Sequence, residues 1–281
     1  MRKSSDVTSE TYDALPPEGE LEIAGVRLPA GRLIRPGQRH RLPRIGQAPE
    51  PALWLSAEFD DAPAAWLTLR ERLDGTGLVP LLLSTLEGQP ERPWDAGELS
   101  PEDPDVLDGL DLTEAITELW DGGVPEEDED PEETAELLAP FGRKFPGLAP
   151  ATSRLADPDE LAAATATVDL PVGVGLVRAN RPADALMAIG WKGAVNILDS
   201  PAPLALVLRS WEERFGARLM HLGFDTMALL VERPVPDADE AFGVAAEHFA
   251  FCTDNITQGQ GTIQDYAEEL PGATSWWFWW D

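Results

Sequence analysis

Residues 91–140 constrain the fold of this chain more than any other segment. They hold 19 acidic residues and one basic residue, Arg92, and so carry −18 of the formal net charge of −30. Six prolines also interrupt them. A run of carboxylates such as 126–130 repels itself and cannot pack into a core. We therefore predict a solvated linker or loop at about 121–136, between two folded parts.

One helix is predicted inside this acidic segment. Apolar residues recur there at helical spacing, with Thr113 as the N-cap and Gly122 and Gly123 as the stop. The apolar positions are Leu110, Leu112, Ile116, Leu119 and Trp120.

Apolar patterns on either side of the acidic segment predict two α/β units. In the first, 21–28 and 32–35 form a hairpin around Pro29-Ala30-Gly31, and the strand–helix–strand pattern within 53–83 is typical of a βαβ unit. That pattern consists of strand 53–59, helix 63–73 and strand 78–83. In the second unit, the predicted strands are 172–177, 194–198, 218–222, 227–232 and 276–280. Its predicted helices are 182–189, 203–215, 237–251 and 262–270.

The predicted fold class is therefore α+β (α/β-like), with two mixed-sheet units. The predicted domains are an N-terminal α/β unit at 1–92, an acidic proline-rich connector with one or two helices at 93–165, and a C-terminal domain at 166–281. The last strand has Trp276, Phe278 and Trp280 on one face, and Trp277 and Trp279 on the other. Two aromatic faces favour a central strand covered on both sides. The alternative is a stacking wall or a protein-binding patch.

The composition limits which cellular compartment and which classes of partner we expect for this chain. Cys252 is the only cysteine, so an internal disulfide is impossible. No signal peptide or membrane-length apolar run is found, and a cytoplasmic protein is expected. Three lysines beside many Ala, Pro and Arg residues suggest a GC-rich bacterial genome. Strong acidity argues against nucleic acid and against anionic membranes, which would repel the chain.

The best candidate site lies around the end of the predicted helix 237–251. His248 and Cys252 are four residues apart and share a helix face, and Asp254 and Asn255 follow. A histidine, a thiol and a carboxylate suit nucleophilic chemistry, so these four are the candidate catalytic residues. The alternative is structural: Cys252 would be core, and His248 a hydrogen-bonded, half-buried residue.

Several further residues are candidates for binding. They are Trp191, Asn196, Asp225, Gln258 and Gly259. His221 and Asp225 flank a predicted hairpin turn and would join His248 at the ends of the strands; the alternative is that His221 faces solvent or a neighbouring residue.

Motifs for cofactors and metals fail in detail. Gly173 and Gly175 lie inside a strand, whereas a dinucleotide fingerprint needs them at the strand-to-helix turn. Asp103, Asp105 and Glu114 have the spacing of an EF-hand loop, but its glycine and fifth ligand are displaced. We predict neither a cofactor nor a metal, and no small-molecule ligand is identified.

A basic stretch runs through 27–44 with no acidic residue in it. Its basic members are Arg27, Arg32, Arg35, Arg39, His40, Arg41 and Arg44. Such a stretch can receive phosphate or nucleic acid, but it has no interleaved aromatics for base stacking. We favour pairing with the acidic segment of the same chain or with a partner.

The C-terminal half resembles a known bacterial family. The resemblance rests on 188–196, 208–217, 222–226, the segment 247–256 with Gly259, and the terminal Trp-rich strand. Together these are similar to the family called domain of unknown function 4253, common in actinomycetes. The resemblance covers roughly 166–281 and implies a domain, but it implies no activity.

Two hypotheses of function follow. The first is a cytosolic interaction or regulatory module that binds another protein, including a basic one, through acidic and aromatic surface. An immunity-like role against a bacterial toxin would fit this acidity, because charge complementarity speeds encounter. The second is a hydrolase or transferase with a pocket around His248, Cys252, Asp254 and Asn255. An open cleft around His248 and Cys252 would favour the enzyme, and packing beneath 276–280 would disfavour it.

Overall fold

Strands from both sides of the acidic segment pair in one sheet. The computed structural model describes residues 11–37, 50–126, 130–194 and 198–281. The strands are β1 (Gly19–Ile23), β2 (Val26–Ile34), β3 (Leu53–Ser56), β4 (Leu78–Leu83), β5 (Gly173–Arg178), β6 (Ala217–Leu222), β7 (Thr226–Val231) and β8 (Ser275–Trp279). Their order in the sheet is β1-β2-β3-β5-β4-β6-β7-β8.

The predicted strand–helix–strand unit within 53–83 exists in a split form. β5 lies between β3 and β4 and runs antiparallel to both, so β3 and β4 are parallel but not neighbours. Every residue of β4 is buried, as are all residues of β5 except Arg178. Continuous burial is expected for strands that are covered on both faces.

The prediction of a mixed α+β fold is confirmed, but two of its details are wrong. The described strands form one sheet rather than two, and β8 is an edge strand rather than a central one. Both errors have one cause. Apolar residues on both faces of a strand show that its faces are covered, but they do not show which strands lie beside it.

The β1–β2 hairpin turns earlier than predicted. Ala24 and Gly25 have φ values of 49° and 72°, the backbone of a tight hairpin turn. β2 then continues through Pro29, where the pairing with β1 is irregular between Gly19 and Leu21. Proline is tolerated at such an irregularity because it has no N–H to donate.

Helices cover both faces of the sheet. They are α1 (Ala62–Arg72), α2 (Leu112–Gly123), α3 (Pro131–Leu137), α4 (Pro158–Ala166), α5 (Ala185–Ile189), α6 (Ala202–Phe215), α7 (Ala238–Phe251) and α8 (Ile263–Ala267). α1 and α4 pack on one face around Trp66. α6 and α7 pack on the other face, over a core rich in aromatic residues. Within the described ranges, every helix is too short or too polar to cross a membrane.

Most other predicted elements agree with the structure to within a few residues. The predicted helices 63–73, 203–215 and 237–251 correspond to α1, α6 and α7. The predicted hairpin of 218–222 and 227–232 corresponds to the antiparallel pair β6 and β7. The predicted strand 194–198 falls mostly on 195–197, which lie outside the described residues.

The acidic segment is more ordered than predicted. α2 buries Ile116, Leu119 and Trp120, and it packs against α6 and α7. The N-cap of α2 is Asp111 rather than Thr113: its carboxylate accepts from the N–H of Glu114 at 2.9 Å. α3 occupies part of the predicted linker.

The sequence around α3 explains why a helix begins there. Asp130 is its N-cap and accepts from the N–H groups of Glu132 and Glu133, while Pro131 takes a position in the first turn where no N–H is needed. Residues 127–129, at the centre of the predicted linker, lie outside the described residues.

β4 and β6 are parallel but pair only near their C-terminal ends, at Leu82 with His221 and at Leu83 with Leu222. Closer to their beginnings, the carbonyl of Pro80 accepts from the indole N–H of Trp66 at 2.8 Å. The N–H and C=O of a strand residue point to the same side, so Pro80 offers neither group to β6. The two strands therefore diverge at their amino ends.

Candidate functional site

The predicted site residues at the end of helix α7 lie in the core beneath β8. Asp237 caps the helix through the N–H of Glu240, at 3.1 Å, and every residue of 244–251 is buried. Cys252 ends the helix with φ −153° and ψ 89°, while its N–H still donates to the carbonyl of His248. Because Cys252 has left the helical backbone, its side chain and that of His248 find different partners.

The imidazole of His248 is fully buried among aromatic rings. Its Nδ1 lies 3.0 Å from the hydroxyl of Tyr266, and its Nε2 has no partner among the described residues. Its ring centroid lies 4.5 Å from that of Trp276 and 4.9 Å from those of Trp211 and Phe278. Burial lowers the pKa of His248 to about 3, because the imidazolium would lose its hydration. The ring is therefore neutral near pH 7.

The thiol of Cys252 is buried against the last strand. Its Sγ donates to the carbonyl of Trp279 at 2.9 Å and lies 3.4 Å from Oδ1 of Asn255. Burial raises the pKa of Cys252 to about 12. Nucleophilic cysteines act as thiolates, so this environment opposes that chemistry.

The side chain of Asn255 pairs with the free edge of β8. Its Nδ2 donates to the carbonyl of Trp277 at 2.5 Å, and its Oδ1 accepts from the N–H of Trp279 at 3.1 Å. These two bonds imitate the bonds that a neighbouring strand would make. With the thiol of Cys252 on the Trp279 carbonyl, they satisfy three main-chain groups of an edge strand.

The remaining candidate residues of this segment lie closer to the surface. Asp254 accepts from the N–H of Asp281 and from the amide of Gln258, both at 3.0 Å. Gln258 and Gly259 are exposed in a single π-helical turn, Asn255–Gln260. Asp254 is thereby tied to the end of the chain rather than to His248.

His221 lies across the sheet from His248. Its ring centroid is 5.5 Å from that of Trp277, whereas His248 packs on Trp276, and successive strand residues face opposite sides. Asp225 occupies the β6–β7 turn, where its carbonyl accepts from the N–H of Trp280 at 3.0 Å. The structure thus does not gather His221 and His248 at one site.

A serine–histidine pair was not predicted from the sequence. Oγ of Ser84, directly after β4, lies 3.0 Å from Nε2 of His221, and both residues are buried. Nδ1 of His221 has no partner among the described residues, so none of their carboxylates orients the ring. Burial lowers the pKa of His221 to about 4. The pair resembles a nucleophile and its base only in distance, because neither group is accessible.

Trp191 has a structural contact at the same end of the sheet. Its indole N–H donates to the carbonyl of Gly223 at 2.8 Å, and its ring packs 5.2 Å from that of Trp280. It also borders a small surface crevice with Lys192 and Ser200. The predicted binding residue Asn196 lies outside the described residues.

A buried ion pair next to His248 was also not predicted from the sequence. Glu247 is fully buried, and its Oε2 accepts from the indole of Trp211 at 2.7 Å and from Arg214 at 2.5 Å. Its Oε1 accepts from Arg214 and from the N–H of Ala149, both at 2.7 Å. Such full satisfaction is what a buried carboxylate requires, and it leaves no lone pair free for catalysis.

Cys252 and Asn255 hydrogen-bond to β8, His248 to Tyr266, and Asp254 to Gln258 and Asp281. His248 and Cys252 are packed beneath the strand 276–280, which is the arrangement that we expected to disfavour an enzyme. A catalytic role for His248, Cys252, Asp254 and Asn255 stays a prediction.

The acidic segment forms a second candidate site, here named the acidic surface. It consists of twelve exposed carboxylates on the 3₁₀ turn Pro104–Gly109, its flanks, α2 and α3. They are Asp103, Asp105, Asp108, Asp111, Glu114, Glu118, Asp121, Glu126, Asp130, Glu132, Glu133 and Glu136. Among the described residues only Asp108 of this set forms an ion pair, with Arg209 at 2.7 Å. Val106 and Leu110 expose about half of their surface within it.

The basic stretch at 27–44 is described only in part. Arg32 pairs with Asp95 of the acidic segment, at 2.6 Å. This is one contact of the intramolecular kind that we predicted. Arg39, His40, Arg41 and Arg44 lie outside the described residues.

The family comparison bears on the C-terminal part of the chain. Residues 173–281 match a family described as Domain of unknown function (DUF4253). The resemblance predicted from the sequence is confirmed over these residues. The match begins at the first residue of β5, so β4, which separates β5 from β6, lies outside it. No match was found among curated proteins or among solved structures.

Sequence patterns also missed a crevice lined by Arg70, Arg181 and Arg218. These residues are more than 30 positions apart in the sequence and belong to no motif, so only the sheet topology brings them together. In the described ranges, no group of three or more His, Cys, Asp or Glu side chains is arranged to hold a metal ion.

Proposed function

We propose that this chain is a cytoplasmic bacterial protein that binds a basic protein partner through its acidic surface. One observation carries the proposal. Glu114, Glu118 and Asp121 form an outward stripe on α2, spaced four and three residues apart, and none of them has an ion-pair partner among the described residues. Like charges at this spacing destabilise a helix, by roughly 0.2–0.5 kcal/mol per pair.

The helix that carries the stripe is packed against the core of the protein. The opposite side of α2 buries Trp120, whose ring packs 5.0 Å from that of Phe249 and whose indole donates to the carbonyl of Arg143 at 3.0 Å. A partner with clustered Lys and Arg would compensate the repulsion within the stripe. Opposite potentials would also raise its association rate, most strongly at low salt.

Exposed apolar residues within the acidic surface support a protein partner over a simple counterion. Val106 is 50% exposed and Leu110 is 45% exposed, at either end of the 3₁₀ turn. Interfaces combine a small apolar centre with a polar rim, and these two side chains would provide the apolar part. A regulatory or immunity-like role is a special case of this proposal, in which the basic partner is an effector or toxin.

The alternative is a hydrolase or transferase that uses His248, Cys252, Asp254 and Asn255. That function would require His248 and Cys252 to leave the aromatic packing beneath β8. No contact described above favours it over the interaction module.

The test compares charge reversal in two places. One variant carries Glu114→Lys, Glu118→Lys and Asp121→Lys, and the control carries Glu20→Lys, Glu22→Lys and Asp60→Lys, which are also exposed. Both variants change the net charge equally. Proteins captured by the wild-type chain from its source organism are purified, and their dissociation constants are measured for all three forms.

The expected partner has a basic surface and binds the control like the wild type. The α2 variant should bind it at least about tenfold more weakly, through a slower association rate whose salt dependence is reduced. The proposal fails if no purified partner binds, or if both variants weaken binding equally.

A further inference from the structure

The divergence of β4 and β6 opens a crevice within the sheet. It lies at the amino ends of these two strands, beside Leu78 and Arg218, and next to Ala179, which directly follows β5. Trp66 and Arg70 of α1 border it from one face, and Pro182 from the other. Its volume is about 380 Å³ including its open mouth, and its interior is narrow.

The charged residues that line this crevice are mainly basic. Arg70, Arg181 and Arg218 face one carboxylate, Asp74, among the lining residues. Each of these arginines is also paired with a carboxylate of the same chain: Arg70 and Arg218 share Glu232, and Arg181 binds Glu212.

Arg70 is the most constrained of the three arginines. Its side chain is only 10% exposed, and its Nη1 donates to Glu232 at 2.6 Å. Its Nη2 has a long contact with the exposed Glu71, at 3.4 Å, and its buried Nε has no partner among the described residues. A buried guanidinium N–H without an acceptor is costly, and it indicates a missing acceptor.

The other two arginines also have N–H groups that are not used in hydrogen bonds among the described residues. Arg218 lies 3.2 Å from Asp74 and 3.4 Å from Glu232, so Glu232 is shared between two guanidinium groups. Arg181 pairs with Glu212 at 2.6 Å and with the exposed Glu213 at 3.2 Å.

A count of N–H donors shows how many remain available to a ligand. Three guanidinium groups present about fifteen N–H donors. They donate six hydrogen bonds to acceptors among the described residues. The three groups therefore retain donors that a multidentate acceptor could use, at a place where Arg70 is already held rigidly.

We propose that this arginine crevice binds a phosphate group, either as free inorganic phosphate or as the phosphate of a small metabolite. Guanidinium forks match phosphate oxygens in geometry, and three such groups, from α1, β6 and the segment after β5, line the crevice. The narrow interior has room for little more than a water molecule, so the phosphate group would bind at the open mouth of the crevice. Asn180, which also lines the crevice, adds an amide donor.

The experiment is a calorimetric titration of the full chain with inorganic phosphate and, separately, with adenosine 5′-monophosphate, in a low-salt buffer free of other anions. Arg218→Gln should weaken phosphate binding at least about tenfold, the cost of losing a charge-assisted hydrogen bond. Glu232→Gln should tighten it, because the competing carboxylate is removed. Arg154→Gln, a change of equal charge at a residue 59% exposed, is the control and should bind like the wild type.

Two comparisons decide the proposal. Binding of inorganic phosphate at least as tight as that of the nucleotide assigns the crevice to the free ion, and tighter binding of the nucleotide assigns it to a phosphate monoester. No heat of binding from either ligand at about 10 mM overturns the proposal, as does equal weakening by Arg218→Gln and Arg154→Gln. Thermal unfolding of each variant shows that it is folded, so that lost binding is not lost structure.

Discussion

The side-chain amide of Asn255 donates to the main-chain carbonyl of Trp277 at 2.5 Å, so a side chain completes the pairing of an edge strand. Unpaired edges of this kind are templates for association with other chains. Asn255 also accepts from Trp279, the alternate residue with main-chain groups directed outward. The segment after α7 therefore closes the sheet where no ninth strand is present among the described residues.

Replacing Asn255 with alanine should lower the free energy of unfolding by about 2–3 kcal/mol. Two main-chain groups of β8 would lose their partners, and each unsatisfied, partly buried group costs roughly 1–3 kcal/mol. Urea unfolding followed by tryptophan fluorescence measures the change. The exposed Gln258→Ala is the control and should change stability by less than about 0.5 kcal/mol. An Asn255→Ala chain as stable as this control would show that the edge does not depend on these bonds.

Cys252 should resist thiol reagents in the folded chain. Burial raises its pKa to about 12, so at pH 8 almost no thiolate is present, and the Sγ is already bonded to the Trp279 carbonyl. Labelling with a chromogenic disulfide should be slow in buffer and fast in denaturing urea. Rapid stoichiometric labelling of the folded chain at pH 8 would contradict this packing and would favour the catalytic alternative.

The sequence predicted individual helices and strands better than it predicted which strands lie side by side in the sheet. Periodicity located α1, α6 and α7 because each has one apolar side and a recognisable cap, such as Asp237 of α7. It could not place β5 between β3 and β4, because about 90 residues separate β4 from β5 and no local pattern encodes that pairing. It also predicted a linker where α3 begins, although Asp130 and Pro131 form a helix start inside the charged run.

The candidate site shows the same limit. Spacing of four residues correctly placed His248 and Cys252 near the end of one helix, but it could not show that Cys252 turns out of the helix toward Trp279. Nor could it show that β8 covers both residues. The arginines of the crevice come from α1, the end of β5 and β6, so they become neighbours only in the folded sheet.

A fragment of residues 166–281 should fail to fold alone. β5 bonds to β3 and β4, both from residues 53–83, and it has no strand partner inside the fragment. β6 would likewise lose β4, and the all-buried strand β5 would be exposed to water. Circular dichroism and urea titration of the fragment test this expectation. A cooperative unfolding transition of the isolated fragment would instead support the predicted C-terminal domain at 166–281.

The two buried histidines should make the fold sensitive to mild acid. Burial lowers the pKa of His248 to about 3 and that of His221 to about 4, whereas an unfolded histidine titrates near pH 6.5. Below pH 6.5 the unfolded chain therefore binds more protons than the folded chain. The stability that these neutral rings confer is complete above pH 6.5 and falls as the pH approaches their folded values.

His248→Phe isolates the contribution of one ring. Each histidine should remove about 1.4 kcal/mol of stability per pH unit between roughly pH 6 and pH 4, so the wild type should lose its advantage over this variant, or fall further behind it, at that rate. Carboxylates titrate in the same range, but they affect both proteins alike and cancel in the difference. Urea unfolding at half-unit steps of pH gives that difference, with Gln258→Ala as a variant whose difference should not change. A wild-type-minus-variant difference that stays constant from pH 7 to about pH 4.5 would mean that His248 is already protonated, or solvated, in the folded chain.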